Sequence, residues 1–339
     1  MKVVRRFCAV LVGIVFFIAG MLKLMDPVGA DLVVQEYFKF LHLGFLIPAS
    51  KITGVAMALL ETLLGAAMVA GVWPRLTGLL TGIVLGGFTL LTLALWIVNP
   101  AMDCGCFGEA VHLTHAQSFW KNIVLLVLWA VAYIPLSKAP SPRRAKYVSF
   151  WITTISVLLF LFMSLRGIPA IDFTDFKPGE TLMQAQYGAA PDSPLLSICD
   201  ADGDYCDDLL SKGTIMLISK YDPEDISPRA QARLNTMKSK LDSLGVTTIE
   251  VLSGGELQPG QYSSDRRTLM TVNRSNGGAT LFSDGLIVGK WPVSRLPEVS
   301  FVADLASSDA TEAMMKENAP RRLRVQGFLL YVFAVLLLL

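Results

Sequence analysis

The chain has 339 residues, 53% of them hydrophobic and only 17% charged. That balance excludes an ordinary soluble globule, and a formal net charge of +1 argues against nucleic acid as a partner. Five cysteines are too few to frame a disulfide scaffold, so each pair is weighed by its position.

The first apolar run, Phe7–Leu22, is uncharged and extends to about Met25. Lys2, Arg5 and Arg6 precede it as in a signal peptide. No small-x-small cleavage site follows, and Lys23 and Asp26 come directly after, so it reads as a retained span. Pro27–Ser50 is too polar and broken to cross a bilayer. Within it, Asp31–His42 is expected to form an outer-surface amphipathic helix, with Leu32, Val33, Tyr37, Phe40 and Leu41 towards lipid, that roofs the loop described below.

Ile52–Val72 carries one charge, Glu61. An ionisable group inside a span is a functional suspect. It is either a proton carrier or a carboxyl bonded to a neighbouring helix. Leu76–Val98 is uncharged, and Gly78, Gly82 and Gly86 make a small-xxx-small stripe suited to close helix packing. Ser118–Leu136 carries only Lys121, and Thr114 with Gln117 has capping-box spacing ahead of it. Tyr147–Leu165 is uncharged, while Val325–Leu339 is apolar but short. Five of these runs reach the roughly 20 residues that a spanning helix needs.

Lys2, Arg5, Arg6, Arg75, Lys138, Arg143, Arg144 and Lys146 fall on one side if the spans alternate, and the positive-inside rule makes that side cytoplasmic. Arg321, Arg322 and Arg324 run against the rule at the last span. The expected protein is a multi-pass bacterial inner-membrane protein. Residues 1–136 form a four-helix membrane domain and 137–165 a basic connector with a fifth span. Residues 166–320 form an extracytoplasmic domain, and 321–339 a C-terminal transmembrane helix.

Asp103-Cys104-Gly105-Cys106-Phe107-Gly108 lies between the third and fourth long spans, on the outer side where disulfides persist. Gly105 permits the backbone dihedrals that a three-residue closure needs. A ring that tight is strained and readily reduced, which suits electron transfer better than stapling. Lys23 and Lys121 sit at the depth needed to favour a thiolate, with Asp26 and Asp103 placed to pair with one or both. His112 and His115 complete Cys-x-Cys-x5-His-x2-His, so Cys104, Cys106, His112 and His115 are an alternative zinc or copper set, although the spacing matches no standard finger. Cys8 reads as a small apolar filler of the first span. Cys199 and Cys206 flank Asp202-Gly203; with those two as the turn, Cys199 falls opposite Cys206, and a structural disulfide, free thiols or a second redox pair remain open.

In the polar domain, Thr214–Ser219 and Val246–Leu252 read as strands and Ser227–Leu244 as a helix, with Ala230, Leu234, Met237, Leu241 and Leu244 at helical spacing. Leu269–Val272 reads as a further strand, and Ala279–Phe282 with Leu286–Trp291 as a hairpin about Ser283-Asp284-Gly285.

Gly20-x-x-Lys23-Leu24-x-Asp26-Pro27, Glu36-Tyr37-Phe38, the Glu61 span and the Asp103–Gly108 motif together resemble the MauE/DoxX group of redox-associated membrane proteins, over about residues 1–136. The resemblance implies a four-helix core. It also implies a link to maturation of methylamine dehydrogenase (MauE-type) or to thiosulfate-to-quinone electron transfer (DoxX-type). Residues 195–306 resemble a thioredoxin-like domain in element order alone. Lys220-Tyr221-Asp222-Pro223-Glu224 stands where Cys-x-x-Cys is usual, and Gly277-Gly278 where a proline is usual. Such a domain is expected to bind a partner or position it over the cysteine loop, or to serve as a structural cap.

The expected fold is therefore an α-helical integral membrane bundle, a four-helix core plus one or two extra spans, with an α/β thioredoxin-like extracytoplasmic domain. The expected function is thiol–disulfide exchange through Cys104 and Cys106 with extracytoplasmic thiol-containing proteins, with Lys23, Asp26, Glu61 and Lys121 in support. No motif fixes a cofactor; a bilayer quinone is the candidate electron partner. The alternative is a non-enzymatic anchor or maturation factor with a structural bridge. Transport ranks third, since broken helices and paired repeats are lacking.

Overall fold

The computed structural model describes residues 2–134, 144–182 and 196–339, with the side chains of 318 and 319 excepted. Lys138 and Arg143 of the expected basic connector lie outside the described residues. The chain divides into two compact units, Met1–Ser164 with Gly327–Leu339, and Leu165–Gln326.

In the first unit, α1 (Lys2–Met25), α3 (Ser50–Ala70), α4 (Pro74–Val98), α5 (His115–Tyr133) and α6 (Arg144–Ser164) are long and apolar enough to cross a membrane, α3 together with the 3-10 turn before it. The protein is thus an integral membrane protein. The apolar run expected as the last span is helical. Its apolar residues end a much longer helix, Ala310–Leu338, in which Arg321, Arg322 and Arg324 interrupt the apolar run.

Helix ends follow local chemistry. Asp26 accepts a hydrogen bond from the Gly29 N–H at 2.9 Å, and Pro27 opens α2 (Pro27–Phe40) with its dihedral already set. The Thr114–Gln117 capping box is formed in both directions at the start of α5. Arg6 donates to the Met68 carbonyl at 2.8 Å and to Val69, and Arg5 to the Ala132 carbonyl at 2.9 Å. The N-terminal basic residues therefore cap the C-terminal ends of α3 and α5, where helix dipoles favour cations.

The core lies between α1, α3, α4 and α5, around Val12, Phe16, Leu64, Met68, Leu85 and Leu125. The closest helix approach is α1 on α3. A Cβ at Gly65 would stand 2.4 Å from the Phe17 nitrogen and 2.6 Å from the Gly13 oxygen. The α4 stripe works differently from expectation: Gly82 makes room for the Trp129 ring, whose indole N–H donates to Gly78 at 2.7 Å, and Gly86 meets nothing within 4 Å. Gly65→Leu is accordingly expected to destabilise the bundle by at least the ~1–3 kcal/mol of ordinary overpacking. Gly86→Leu, with open space around it, is the comparison. Melting of both variants in one detergent checks this, and equal midpoints would refute it.

α2 covers the cysteine loop, as expected of this segment, but does so with side chains expected towards lipid. Leu32 is buried, Val33 packs on Gly105, and the Tyr37 hydroxyl donates to the Cys104 carbonyl. Val33 and Tyr37 thus face the cysteine loop instead of lipid, because covering that loop buries them better.

The second unit holds a five-stranded sheet in the order β4-β3-β2-β5-β6: β2 (Thr214–Lys220), β3 (Thr247–Leu252), β4 (Gln261–Ser263), β5 (Gly278–Ser283) and β6 (Leu286–Trp291). A short strand, β1 (Cys106–Glu109), belongs to the first unit. β2 runs parallel to β3 and antiparallel to β5, with Leu217 between Ile249 and Thr280. α7 (Pro228–Ser243) makes the crossover, capped by Ser227, and buries Leu234, Met237 and Leu241. Asp284 and Gly285, both at positive φ, turn the β5–β6 hairpin. The strand expected at Leu269–Val272 is instead helix α8 (Arg266–Val272). The Asp265 carboxylate accepts from the Thr268 N–H at 3.1 Å, and that cap decides a short apolar run that periodicity alone leaves ambiguous.

After β2, Asp222 pairs with Arg266 at 2.7 Å and the Tyr221 hydroxyl donates to the Arg274 carbonyl at 3.2 Å. The Cys199–Cys206 register is one residue off the expected one. Cys199 stands opposite Tyr205, while the Cys206 N–H donates to the Ile198 carbonyl at 2.7 Å. Since successive strand residues face opposite sides, the two thiols are not opposed, and both are free.

Candidate functional site

The loop after α4 brings the two sulfurs together. Gly105 adopts φ +59, and the Cys104 and Cys106 Sγ atoms stand 3.2 Å apart as free thiols. A side chain at Gly105 would meet both positive φ and Val33, whose Cγ1 lies 2.3 Å from the Cβ position. The loop is held from above by Tyr37. Cys104 is 2% exposed, whereas Cys106 is only partly buried and begins β1.

The two thiols are electrostatically unequal. The hydrogen bond from Cys104 is the largest effect lowering the Cys106 thiol to about 5. Burial opposes it, and Lys121, Ser118 and Lys23 add to it. Cys104, which keeps the proton of that bond and is buried, is pushed up. The pair is one thiol donating to one thiolate. Ser118, fully buried one turn into α5, has no hydrogen-bond partner within normal distance, yet lies close enough to both sulfurs to favour the charged form.

Lys23, in the last turn of α1, binds both Glu61 oxygens at 2.7 and 2.9 Å, and the Glu61 side chain is only 4% exposed. The Lys121 ammonium lies 4.8 Å from the Phe107 ring centroid. An open-mouthed cleft of about 810 Å³, its mouth included, joins these groups: Cys106, Lys23, Glu61 and Lys121 all line it, with Tyr37 and Asn122.

Of the expected site residues, the structure gathers Cys104, Cys106, Lys23, Glu61 and Lys121. Asp26 caps α2. Neither Asp26 nor Asp103 takes the expected lysine: Glu61 holds Lys23, and Asp103 pairs with His112 at 3.2 Å on the exposed side. The four-donor metal set is not assembled either. The His115 Nε2 bonds the Pro100 carbonyl at 3.1 Å, and no group of three or more His, Cys, Asp or Glu side chains is gathered for a metal among the described residues. Sequence reading missed Ser118 and Asn122 in these roles. Both are polar residues in the first turns of an apolar span, and that was the available signal. Tyr37 was read on the wrong face.

No curated protein and no solved structure matches the chain. Residues 1–135 match a family model described as methylamine utilisation protein MauE. That stretch, which contains α1 to α5 and the whole of the cysteine site, is what is similar to the MauE family.

Proposed function

We propose that Cys104 and Cys106 form a redox dithiol that exchanges electrons with extracytoplasmic thiol-containing proteins. The single observation that carries this is the 3.2 Å pair of free sulfurs with the Cys106 thiol lowered to about 5. The Cys106 thiolate attacks one sulfur of a partner disulfide and releases the other as a thiolate. Cys104, losing its proton, then attacks Cys106, closes the intramolecular disulfide and frees the second partner thiolate. The partner gains two electrons, and the reverse sequence oxidises it. The partly buried sulfur acts as nucleophile and the buried one resolves.

In this reading the cysteine loop and the second unit face away from the cytoplasm, as the loop charges suggest. The second unit is a thioredoxin-like domain without a dithiol, and it holds a partner. Its parallel β2–β3 pair, crossover α7 and antiparallel β5–β6 hairpin support that reading. The name of the family that residues 1–135 match supports a link to methylamine utilisation, where maturation of a disulfide-bearing partner is work for such a dithiol.

The test is a redox titration. Membranes holding the full chain are poised at set potentials and alkylated, and the thiols on Cys104 and Cys106 are counted. A midpoint more positive than about −300 mV is expected. A midpoint well below that marks an inert bridge and favours the anchor or maturation-factor reading.

A further inference from the structure

We infer that the second unit docks onto a second copy of this chain. The acidic hairpin of residues 200–208 in one copy seats in a basic groove between α7 and the turn Val293–Arg295 of the other. Both halves of the contact belong to Leu165–Gln326, and neither depends on the thiol chemistry above.

The groove is open and holds about 570 Å³. Arg229, Arg233 and Lys240 line it from one face of α7, and Arg295 from the turn, while Met237 and Leu296 give it apolar surface. No acidic side chain lines it, and none of the four cations is in an ion pair among the described residues. Arg229 and Arg233 stand one helical turn apart and repel each other, a cost that a docked anion removes. From Arg229 to Lys240 the cations run about 16 Å along the helix. A lone carboxylate or phosphate would leave much of that row unmet, so the complement is a row of anions.

Residues 200–208 supply such a row, with five aspartates and no cation. Two of the five hold the local fold. The Asp200 carboxylate accepts from the Asp202 and Asp204 N–H groups at 3.0 Å, and Asp207 accepts from the Ser197 and Ile198 N–H groups. Asp202, Asp204 and Asp208 are exposed, and none is in an ion pair among the described residues. Tyr205, 78% exposed, stands among them and offers its ring to an arginine. One unit thus carries two unpaired clusters of opposite sign. Cations set around a groove suit a projecting segment better than a flat lipid surface. Each exposed pair is weak by itself, but copies held in one bilayer meet at a raised effective concentration.

The test mixes unlabelled and ¹⁵N-labelled full chains in phosphatidylcholine vesicles. A short maleimide–succinimide linker joins the free Cys206 thiol of the hairpin to the Lys240 amine of the groove. Mass spectrometry is expected to find links between unlabelled and labelled copies, at least tenfold fewer on going from about 50 to about 500 mM sodium chloride. Arg229→Glu with Arg233→Glu, and separately Asp202→Lys with Asp204→Lys, are each expected to lose the link at least tenfold. Mixing the two variants is expected to restore it, because the hairpin of the first then meets the groove of the second. Links within single copies only, variants that link like the wild type, or no recovery on mixing each overturn the contact. Should a variant not fold, the wild-type salt dependence decides, and a salt-insensitive link overturns the contact. Protection of Lys240 by added phosphatidylglycerol, without any link between copies, assigns the groove to lipid and overturns it too.

Discussion

Alkylation of Cys106 in the reduced protein is expected to run at its plateau rate from roughly pH 6 upward, because its thiolate forms about pH 5 instead of near 9. Cys104 is expected to stay slow across the same range, since burial and its hydrogen bond keep it protonated. Quantifying each alkylated peptide by mass spectrometry against pH checks both. A Cys106 profile that rises only near pH 9 would remove the thiolate from the mechanism. Cys104→Ser, which lacks the resolving sulfur, is expected to leave a mixed disulfide on Cys106, detectable as a reductant-sensitive adduct.

The same asymmetry sets a stability profile for the reduced state. The Cys106 thiol is lowered on folding, so the unfolded chain binds more protons between pH about 5 and 9. Stability from this residue therefore rises with pH across that window, is complete above it and is gone below about 5. Cys104 is raised and acts oppositely: above pH about 9 the unfolded thiol ionises while the folded one does not. Melting of the reduced protein should peak near the top of the window, and oxidation of the pair should flatten the profile.

Lys23→Ala is expected to have the largest effect on stability. It leaves the Glu61 carboxylate, 4% exposed, without its partner inside the bundle, and breaking a buried pair from one side costs about 3–5 kcal/mol. Replacing both residues together, as Lys23→Met with Glu61→Leu, should cost less than the single change, because no charge is then left buried. The comparison is a double-mutant cycle on melting in detergent. Additive losses would show that the two side chains do not interact. Glu61→Gln keeps the shape of the acid and separates packing from charge.

Much of the fold was legible because lipid imposes a strong local rule. Every backbone group must bond within its own helix, so span length and apolarity appear as unbroken runs. The capping box at Thr114 and Gln117 and the Asp284-Gly285 hairpin were legible for the same reason: each is settled within a few residues. Where a distant contact decided, local reading failed. α2 was turned towards lipid because its amphipathic pattern does not distinguish a bilayer from a covered loop. Leu269–Val272 became a helix because one aspartate capped it. The Cys199 register moved by one residue because β4 also claims Cys199: its N–H donates to the Ser263 carbonyl at 2.8 Å.

The sequence by itself determined five membrane-fit helices, the Cys104-Gly105-Cys106 loop between the third and fourth of them, and the charged residues eligible to serve it. Only the tertiary structure decided that Glu61, not Asp26, holds Lys23, and that the side chains α2 turns to the loop include Tyr37 and Val33. It also decided that Cys106 rather than Cys104 faces a cleft. The reason is distance along the chain. Helix length and turn closure depend on neighbours in sequence, whereas ion pairing between α1 and α3 depends on how closely Gly20 and Gly65 let those helices approach.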